Sequence, residues 1–399
     1  MGIPGLPALI KSVTDDEAIK LHSFKHFRGM TVAVDTSILV HKISIGVRSS
    51  GKDMTNLEGG LTSHLNGIFY KILFFLENNM TPIFVFDGKP PDLKNRTLNK
   101  RKECKIIASD KLKTTIDEEE YVKCFQKSFT PTKNDYLELQ IMLDLIGIPY
   151  VQAPGEADPV LAWLALRKDK TGNRYVKGVC SNDTDVLTLG APYMFKNMFE
   201  SMSKTSNEKV SVISLRATLA KMEFDMDQFV DLCTLMGCDY CERIKTVGPK
   251  KSYNLIRSKK NLEGAINQLK IEATKNDKII IDKKNIKCMF EANKYFKNVL
   301  NDLDNNDDFV ITEDNLKLRS FQYDELIDFM CVKHNFDVIK IQSMIKRLSI
   351  YYGNMNITRP NNKKVHKILK QRSEDYAFLS SESSEDNGPI IKKKYPSKK

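Results

Sequence analysis

The chain has 399 residues, of which 41% are hydrophobic and 28% charged, a balance that excludes wholesale disorder and a disulfide-stapled mini-domain. The formal charge is +11, and residues 346–399 hold 13 Lys/Arg against 5 Asp/Glu, so the body is close to neutral and the excess sits at the C-terminal end. The longest apolar stretch, 68–76, is broken by Lys71 and is half the length of a membrane span, and no charged-then-apolar leader opens the chain, so a protein neither membrane-spanning nor secreted is expected. Eight scattered cysteines include a single CxxC, Cys238 and Cys241, with no second pair for a zinc site; they read as reduced thiols of an intracellular protein.

In chain order, the first buried strand is predicted at 31–34, where apolar residues are nearly continuous and β-branched. Leu61, Leu65, Ile68, Ile72 and Leu76 then recur at helical spacing, and a second strand follows at 83–86. Residues 89–133 carry 12 Lys/Arg against 7 Asp/Glu with few apolar positions, a helix that packs shallowly and meets solvent or a charged partner. Residues 136–145 return to an amphipathic helix, 148–151 to a strand, 160–166 to a helix and 176–180 to a strand. From 226 to about 345 the pattern is helical, with Gly237 stopping its first helix, and after Tyr352 Asn, Pro, Ser and Lys dominate as in a mobile tail. Strand and helix alternation predicts an α/β fold with a mostly parallel central sheet flanked by helices. The expected division is an α/β core in two parts, 1–106 and 136–225, a basic helical excursion at 107–135, a helical region at 226–345 and a basic tail at 353–399.

Each predicted strand runs into acids. Asp35 follows the first and Asp87 the second; the third leads to Glu156 and Asp158, and the fourth to Asp183 and Asp185. Ligands of open α/β sheets bind at the carboxyl ends of strands, so six carboxylates are delivered to one crevice. Any one of these acids reads equally well as a helix N-cap, but six together repel one another, and hard divalent cations with oxygen ligands relieve that. No GxxxxGK[ST] loop is present to suggest a nucleoside triphosphatase.

Further on, the segment around Gly237 and Asp239 and the run Val247-Gly248-Pro249-Lys250-Lys251 read as helix, tight turn, helix. Gly248 frees the turn, Pro249 suits the first helical position, and backbone N–H groups with Lys250 and Lys251 face an anion such as a duplex backbone.

Taken together, Met1-Gly-Ile-Pro-Gly-Leu6, Val32-Ala-Val-Asp35, Phe84-Val-Phe-Asp87-Gly-Lys-Pro-Pro91, Ala153-Pro-Gly-Glu-Ala-Asp158, Asn182-Asp-Thr-Asp185, Gly237-Cys-Asp239-Tyr and Val247-Gly-Pro-Lys250 resemble, in this order, the structure-specific 5′ nucleases of the xeroderma pigmentosum group G and Rad2-like family, most closely the flap endonuclease branch. The resemblance covers roughly 1–350. It implies a PIN-like nuclease core with a helical arch and a helix-turn-helix DNA-binding region, two Mg²⁺ ions with Mn²⁺ as a substitute, and Asp35, Asp87, Glu156, Asp158, Asp183, Asp185 and Asp239 as metal carboxylates. It further implies that Lys94 and Arg101 reach the scissile phosphate, and that Gly2, Arg48, Lys71 and Gly237 join Gly248, Lys250 and Lys251 as DNA contacts. Arg243, Ile244 and Val247 match positions whose carbonyls hold a monovalent cation, K⁺, in the helix-turn-helix.

The implied activity is cleavage of 5′ flaps at single-strand to duplex junctions in replication and repair, by a monomer acting in the nucleus or wherever DNA is replicated. The alternatives are a 5′–3′ exonuclease of the same superfamily and a catalytically silent junction-binding scaffold. Three positions depart from the branch: Asp158 replaces a Glu, Thr246 a Gly and His41 a Tyr. The tail carries no clear sliding-clamp box, since Gln371 is followed three residues later by Glu374.

Overall fold

One sheet organises the chain in the computed structural model, which describes residues 2–199, 209–275 and 277–352. Its strands are β1 (Ile19–Ser23), β2 (Thr31–Asp35), β3 (Thr81–Phe86), β4 (Tyr150–Gln152), β5 (Val179–Cys180), β6 (Tyr193–Lys196) and β7 (Lys209–Ser214), in the spatial order β1-β7-β6-β5-β2-β3-β4. The five from β6 to β4 are parallel, with Asp35 opposite Val85 and Phe84 opposite Tyr150. Two antiparallel strands, β7 and β1, complete one edge.

Side-chain alternation along β2 and β3 feeds two cores. Val32, Val34, Phe84 and Phe86 face the helices Ser63–Glu77, Lys133–Ile146 and Val338–Tyr352. Ala33, Ile83 and Val85 face Ala157–Leu166 and Met226–Met236. A sheet covered on both faces accounts for the nearly continuous apolar strands. It also leaves the strand ends as the route from the sheet to a site.

The basic stretch after β3 folds as a short 3₁₀ turn, Asp92–Lys94, and two helices, Asn95–Leu112 and Glu118–Lys127, which bury only Ala108 and Cys124 respectively. The first helix is tied down where it starts: the Thr97 hydroxyl donates to the Asp239 carbonyl at 2.6 Å. The second is tied by Arg48, whose guanidinium clasps Asp53 at 2.7 and 2.8 Å, donates to the Phe125 carbonyl at 2.9 Å and lies over the Phe125 and Phe129 rings. No helix among the described residues is long and apolar enough to cross a membrane. The basic tail 353–399, with its absent clamp box, lies outside the described residues.

Candidate metal centre and nucleic-acid interface

The carboxyl edge of the parallel strands gathers the acids. Asp35, the last residue of β2, caps the helix Thr36–Arg48 by accepting from the Ile38 N–H at 3.0 Å, and Ser181 donates to its other oxygen at 3.0 Å. The same Ser181 hydroxyl accepts from the Asp183 N–H at 3.0 Å, so one side chain joins the ends of β2 and β5. Asp87 accepts from Ser37 and, at 2.8 Å, from the Ala157 N–H, capping the helix that carries Glu156 as its N-cap and Asp158 in its first turn. The N-cap reading of Asp35 is therefore correct as well.

Electrostatics record how closely these acids stand. Burial raises the Asp35 carboxyl to about 7, with Asp87 and Asp183 adding repulsion. Burial also pushes Asp158 well above the usual carboxylate range, helped by Asp183, Asp35 and Asp185. Asp183 is raised by burial with repulsion from Asp239, and Asp185 is raised far by burial with repulsion from Asp183 and Asp239. Asp185 is 3% exposed, and its Oδ1 has no hydrogen-bond partner.

Cations close the crevice from the arch side. Lys94 pairs with Glu156 and, at 3.2 Å, with Asp239, while Arg101 holds both Asp239 oxygens at 2.8 and 2.7 Å. Burial opposes the Lys94 charge, but Glu156, Asp239 and Asp158 outweigh it and hold its pKa above the ordinary lysine value. Glu156 is also fixed by the Tyr240 hydroxyl, whose ring packs on Tyr295 and Phe296. Ser37, Ser181 and Tyr240 were not singled out by sequence reasoning, although each lies one or two residues from a predicted acid.

Among the described residues no group of three His, Cys, Asp or Glu side chains stands preassembled around an ion position. Glu156 and Asp239 are instead drawn onto Lys94 and Arg101. The donor set is all oxygen and mutually repelling, with Asp35, Glu156, Asp183 and Asp185 buried and one carboxylate oxygen orphaned; this chemistry fits a hard divalent cation and disfavours a soft one.

The glycines of the N-terminal motif lie against the same machinery. Gly2 and Gly5 both have φ of +81°; a Cβ on Gly2 would meet Asp183 Oδ1 at 2.2 Å, and one on Gly5 would meet Pro249 at 2.9 Å. Pro249 opens the helix Pro249–Lys259, as its place in the turn predicts, with Gly248 as the N-cap; Gly248 has φ of −85°, open to any residue, so the turn does not draw on glycine's freedom there. At Gly237, φ is +87° and a Cβ would stand 2.7 Å from the Arg243 nitrogen. The Ile244 carbonyl accepts from the Val247 N–H at 3.1 Å, and Thr246 between them has φ of +70°. A β-branched residue in the left-handed region is strained by about 1–2 kcal/mol. Thr246→Gly is therefore expected to stabilise the chain by roughly 0.5–1 kcal/mol after allowing for the greater unfolded freedom of glycine, which denaturant unfolding would detect as a raised midpoint; an unchanged or lowered midpoint would show that the hydroxyl or methyl of Thr246 compensates.

Three of the expected DNA contacts are engaged within the chain. Lys71 is 3% exposed and donates to the Phe199 carbonyl, so its ammonium faces the interior. Arg48 spends its guanidinium on Asp53, Phe125 and the Phe129 ring, making it an anchor of the arch. Lys251 is half-buried and paired with Glu272 at 2.6 Å, whereas Lys250 is exposed. His41 lies against the Phe129 ring with its pKa lowered by burial and by Lys105 and Arg101, so it faces the cationic side of the arch.

An acid crevice at the carboxyl edge of a doubly covered sheet, bridged by cations from an arch and flanked by a helix-turn-helix, defines a nuclease architecture, and comparison with known proteins places it. The XPG N-terminal domain matches residues 1–107 and the XPG I-region matches 147–239. The chain belongs to the XPG family, in its flap endonuclease branch. Flap endonuclease 1 of Homo sapiens is 34% identical over 354 residues, 88% of this chain and 87% of that protein, and flap endonuclease 1 of Nematostella vectensis is 33% identical over 352 residues, covering 88% and 87%. Among solved structures, the flap endonuclease-1 of Methanococcus jannaschii aligns with a TM-score of 0.60 at 28% identity, over 85% of this chain and 97% of that one. The catalytic core of Rad2 in complex with DNA substrate shares the fold, with a TM-score of 0.59 at 22% identity over 87% and 99%.

Proposed function

We propose that the chain is a divalent-metal-dependent endonuclease that hydrolyses the phosphodiester at the base of a 5′ single-stranded flap on duplex DNA, serving replication and repair. The observation that carries this reading is the convergence of Asp35, Asp87, Glu156, Asp158, Asp183, Asp185 and Asp239 on one edge with Lys94 and Arg101 against them. These seven carboxylates are assigned to hold two Mg²⁺, with Mn²⁺ able to substitute. The ions supply Lewis acidity toward the phosphate oxygens and lower the pKa of water.

The chain's own residues do the rest. Ser181 and Ser37 hold Asp35 and Asp87 in place, and Tyr240 orients Glu156. Lys94 and Arg101, positioned by the start of the arch, meet the charge that develops on the scissile phosphate. Away from the reacting bond, the Gly248 amide, the N-terminus of the helix Pro249–Lys259 and Lys250 grip the duplex backbone without reading sequence. Gly2 and Gly237, whose missing side chains make room for Asp183 and for the Arg243 backbone, are assigned to the DNA face through their backbone, and the carbonyls of Arg243, Ile244 and Val247 to a K⁺ ion that would stiffen the turn.

The test is a gel comparison of a 5′ flap, a nicked duplex and a blunt duplex, each with Mg²⁺ and with chelator. Cleavage of the flap at its junction, about tenfold or more faster than of the blunt end and lost with chelator, is the expected result. Equal rates on all three substrates, or cleavage that survives chelation, would reject the assignment.

A further inference from the structure

At the opposite edge of the sheet from the acids lies a cavity of about 760 Å³. Its floor is one face of the antiparallel strands. Lys20 of β1 pairs with Val212 of β7, which pairs with Phe195 of β6, and Ser214 pairs with Tyr193. Side chains two apart share a face, so Lys20 with His22, Val212 with Ser214, and Tyr193 with Phe195 all line the same hollow. Its rim is the turn carrying Lys168 and Arg174, which bridge antiparallel to each other, together with Lys177 just before β5 and Met30 just before β2. These are the amino ends of the parallel strands, and β2 alone puts roughly 13 Å between Thr31 and Asp35. The hollow is thus separate from the acid crevice.

Its charge is one-sided. Lys20, Lys168, Arg174 and Lys177 are exposed and have no carboxylate partner among the described residues. Glu17, the one acid in the lining, is engaged by Lys221 at 2.8 Å, and Asp169 beside the rim is turned onto its own loop, accepting from the Thr171 and Asn173 N–H groups at 2.9 Å. Burial, then His26 and Lys20, lower the His22 pKa, as expected beside uncompensated cations. The walls also offer flat surfaces: Tyr193 is 40% exposed, and the His22 and His26 rings stack at 4.0 Å. A bare inorganic anion needs the cations but neither the volume nor the rings. A phosphorylated ligand with a planar base uses all three, and the volume suits a small-molecule site.

We propose that this amino-edge cavity binds a nucleotide, its phosphates held by Lys20, Lys168, Arg174 and Lys177 and its base laid against Tyr193. The ligand comes either as a free nucleotide or as one unit of a nucleic-acid strand, and two probes separate these sources: ADP and a 5′-phosphorylated hexathymidylate. Each is titrated calorimetrically into the full chain with chelator present, so that the acid crevice holds no divalent ion.

Saturable binding of at least one probe is expected, weakened about tenfold or more in Lys20→Ala/Arg174→Ala and falling with added salt. Tyr193→Ala is expected to weaken it as well, because stacking is lost. Flap cleavage by these variants should stay within about twofold of the parent, since none of the three residues touches the acid crevice. ADP binding alone identifies a free nucleotide; hexathymidylate binding alone identifies a strand. No saturable binding below about 1 mM, or affinity unchanged in the variants, overturns the proposal. Displacement by inorganic phosphate or a polyglutamate peptide as effectively as by the nucleotide also overturns it, because the cavity would then recognise charge without the base.

Discussion

Asp185→Asn is expected to slow cleavage by about a thousandfold or more while making the metal-free protein more stable. The two effects share one cause. Asp185 is buried, its Oδ1 has no donor, and Asp183 and Asp239 repel its charged form; a buried carboxyl that must either keep an unpaired charge or take up a proton is among the few features that a single substitution relieves by about 1–3 kcal/mol. Asparagine keeps the shape, removes the charge and brings an amide donor toward the Asp183 carboxylate. That same charge is what binds a divalent ion, and losing transition-state stabilisation of about 4 kcal/mol is a thousandfold in rate. Chemical denaturation with chelator should therefore rank the variant above the parent. With Mg²⁺ the ranking should narrow or invert, because binding to the folded state stabilises only the protein that binds. Cleavage within about tenfold of the parent would remove Asp185 from the site.

Lys94→Ala is expected to act with the opposite sign on stability. Its ammonium lies between Glu156 and Asp239 with its side chain 14% exposed, so its removal leaves two carboxylates facing each other and costs about 3 kcal/mol in the metal-free protein. Arg101 is 41% exposed, and its loss should change stability little. On cleavage the two behave alike: each substitution should slow single-turnover hydrolysis about a hundredfold, the scale for losing one preorganised donor to developing charge. Flap affinity should change by less than about threefold. Variants that lost affinity at an unchanged single-turnover rate would make the two cations binding residues and nothing more.

The sequence was most legible where one residue type answers one physical demand. Acids at the carboxyl ends of buried strands announced the crevice, because the strands are covered on both faces and read as unbroken apolar runs ending in Asp35, Asp87 and the pair at Asp183 and Asp185. The N-terminal glycines were legible as a motif, but their reason is visible only in three dimensions, where Gly2 abuts Asp183 and Gly5 abuts Pro249.

The antiparallel edge was not legible. β1 alternates weakly and leaves Lys20, Leu21 and Ser23 exposed, as an edge strand does, and β6 has only four residues. The strand expected at 176–180 shortens to Val179–Cys180: Lys177 and Gly178 still bond to Thr31 and Ala33 of β2, while the Val176 N–H turns to the Leu164 carbonyl. The partners of Lys71, Arg48 and Lys251 were not legible for a common reason: a cation in a sequence does not disclose whether a carbonyl, an aspartate, an aromatic ring or a glutamate already claims it.

The most direct test of the central claim is to count ions in the crevice. An Mn²⁺ titration of the full chain followed by electron paramagnetic resonance reads free and bound metal without reference to activity. About two bound ions per chain are expected, with at least one lost in Asp183→Asn/Asp185→Asn. Equal binding by the parent and the double variant would contradict the account, because the divalent ions would then be held somewhere other than by these carboxylates.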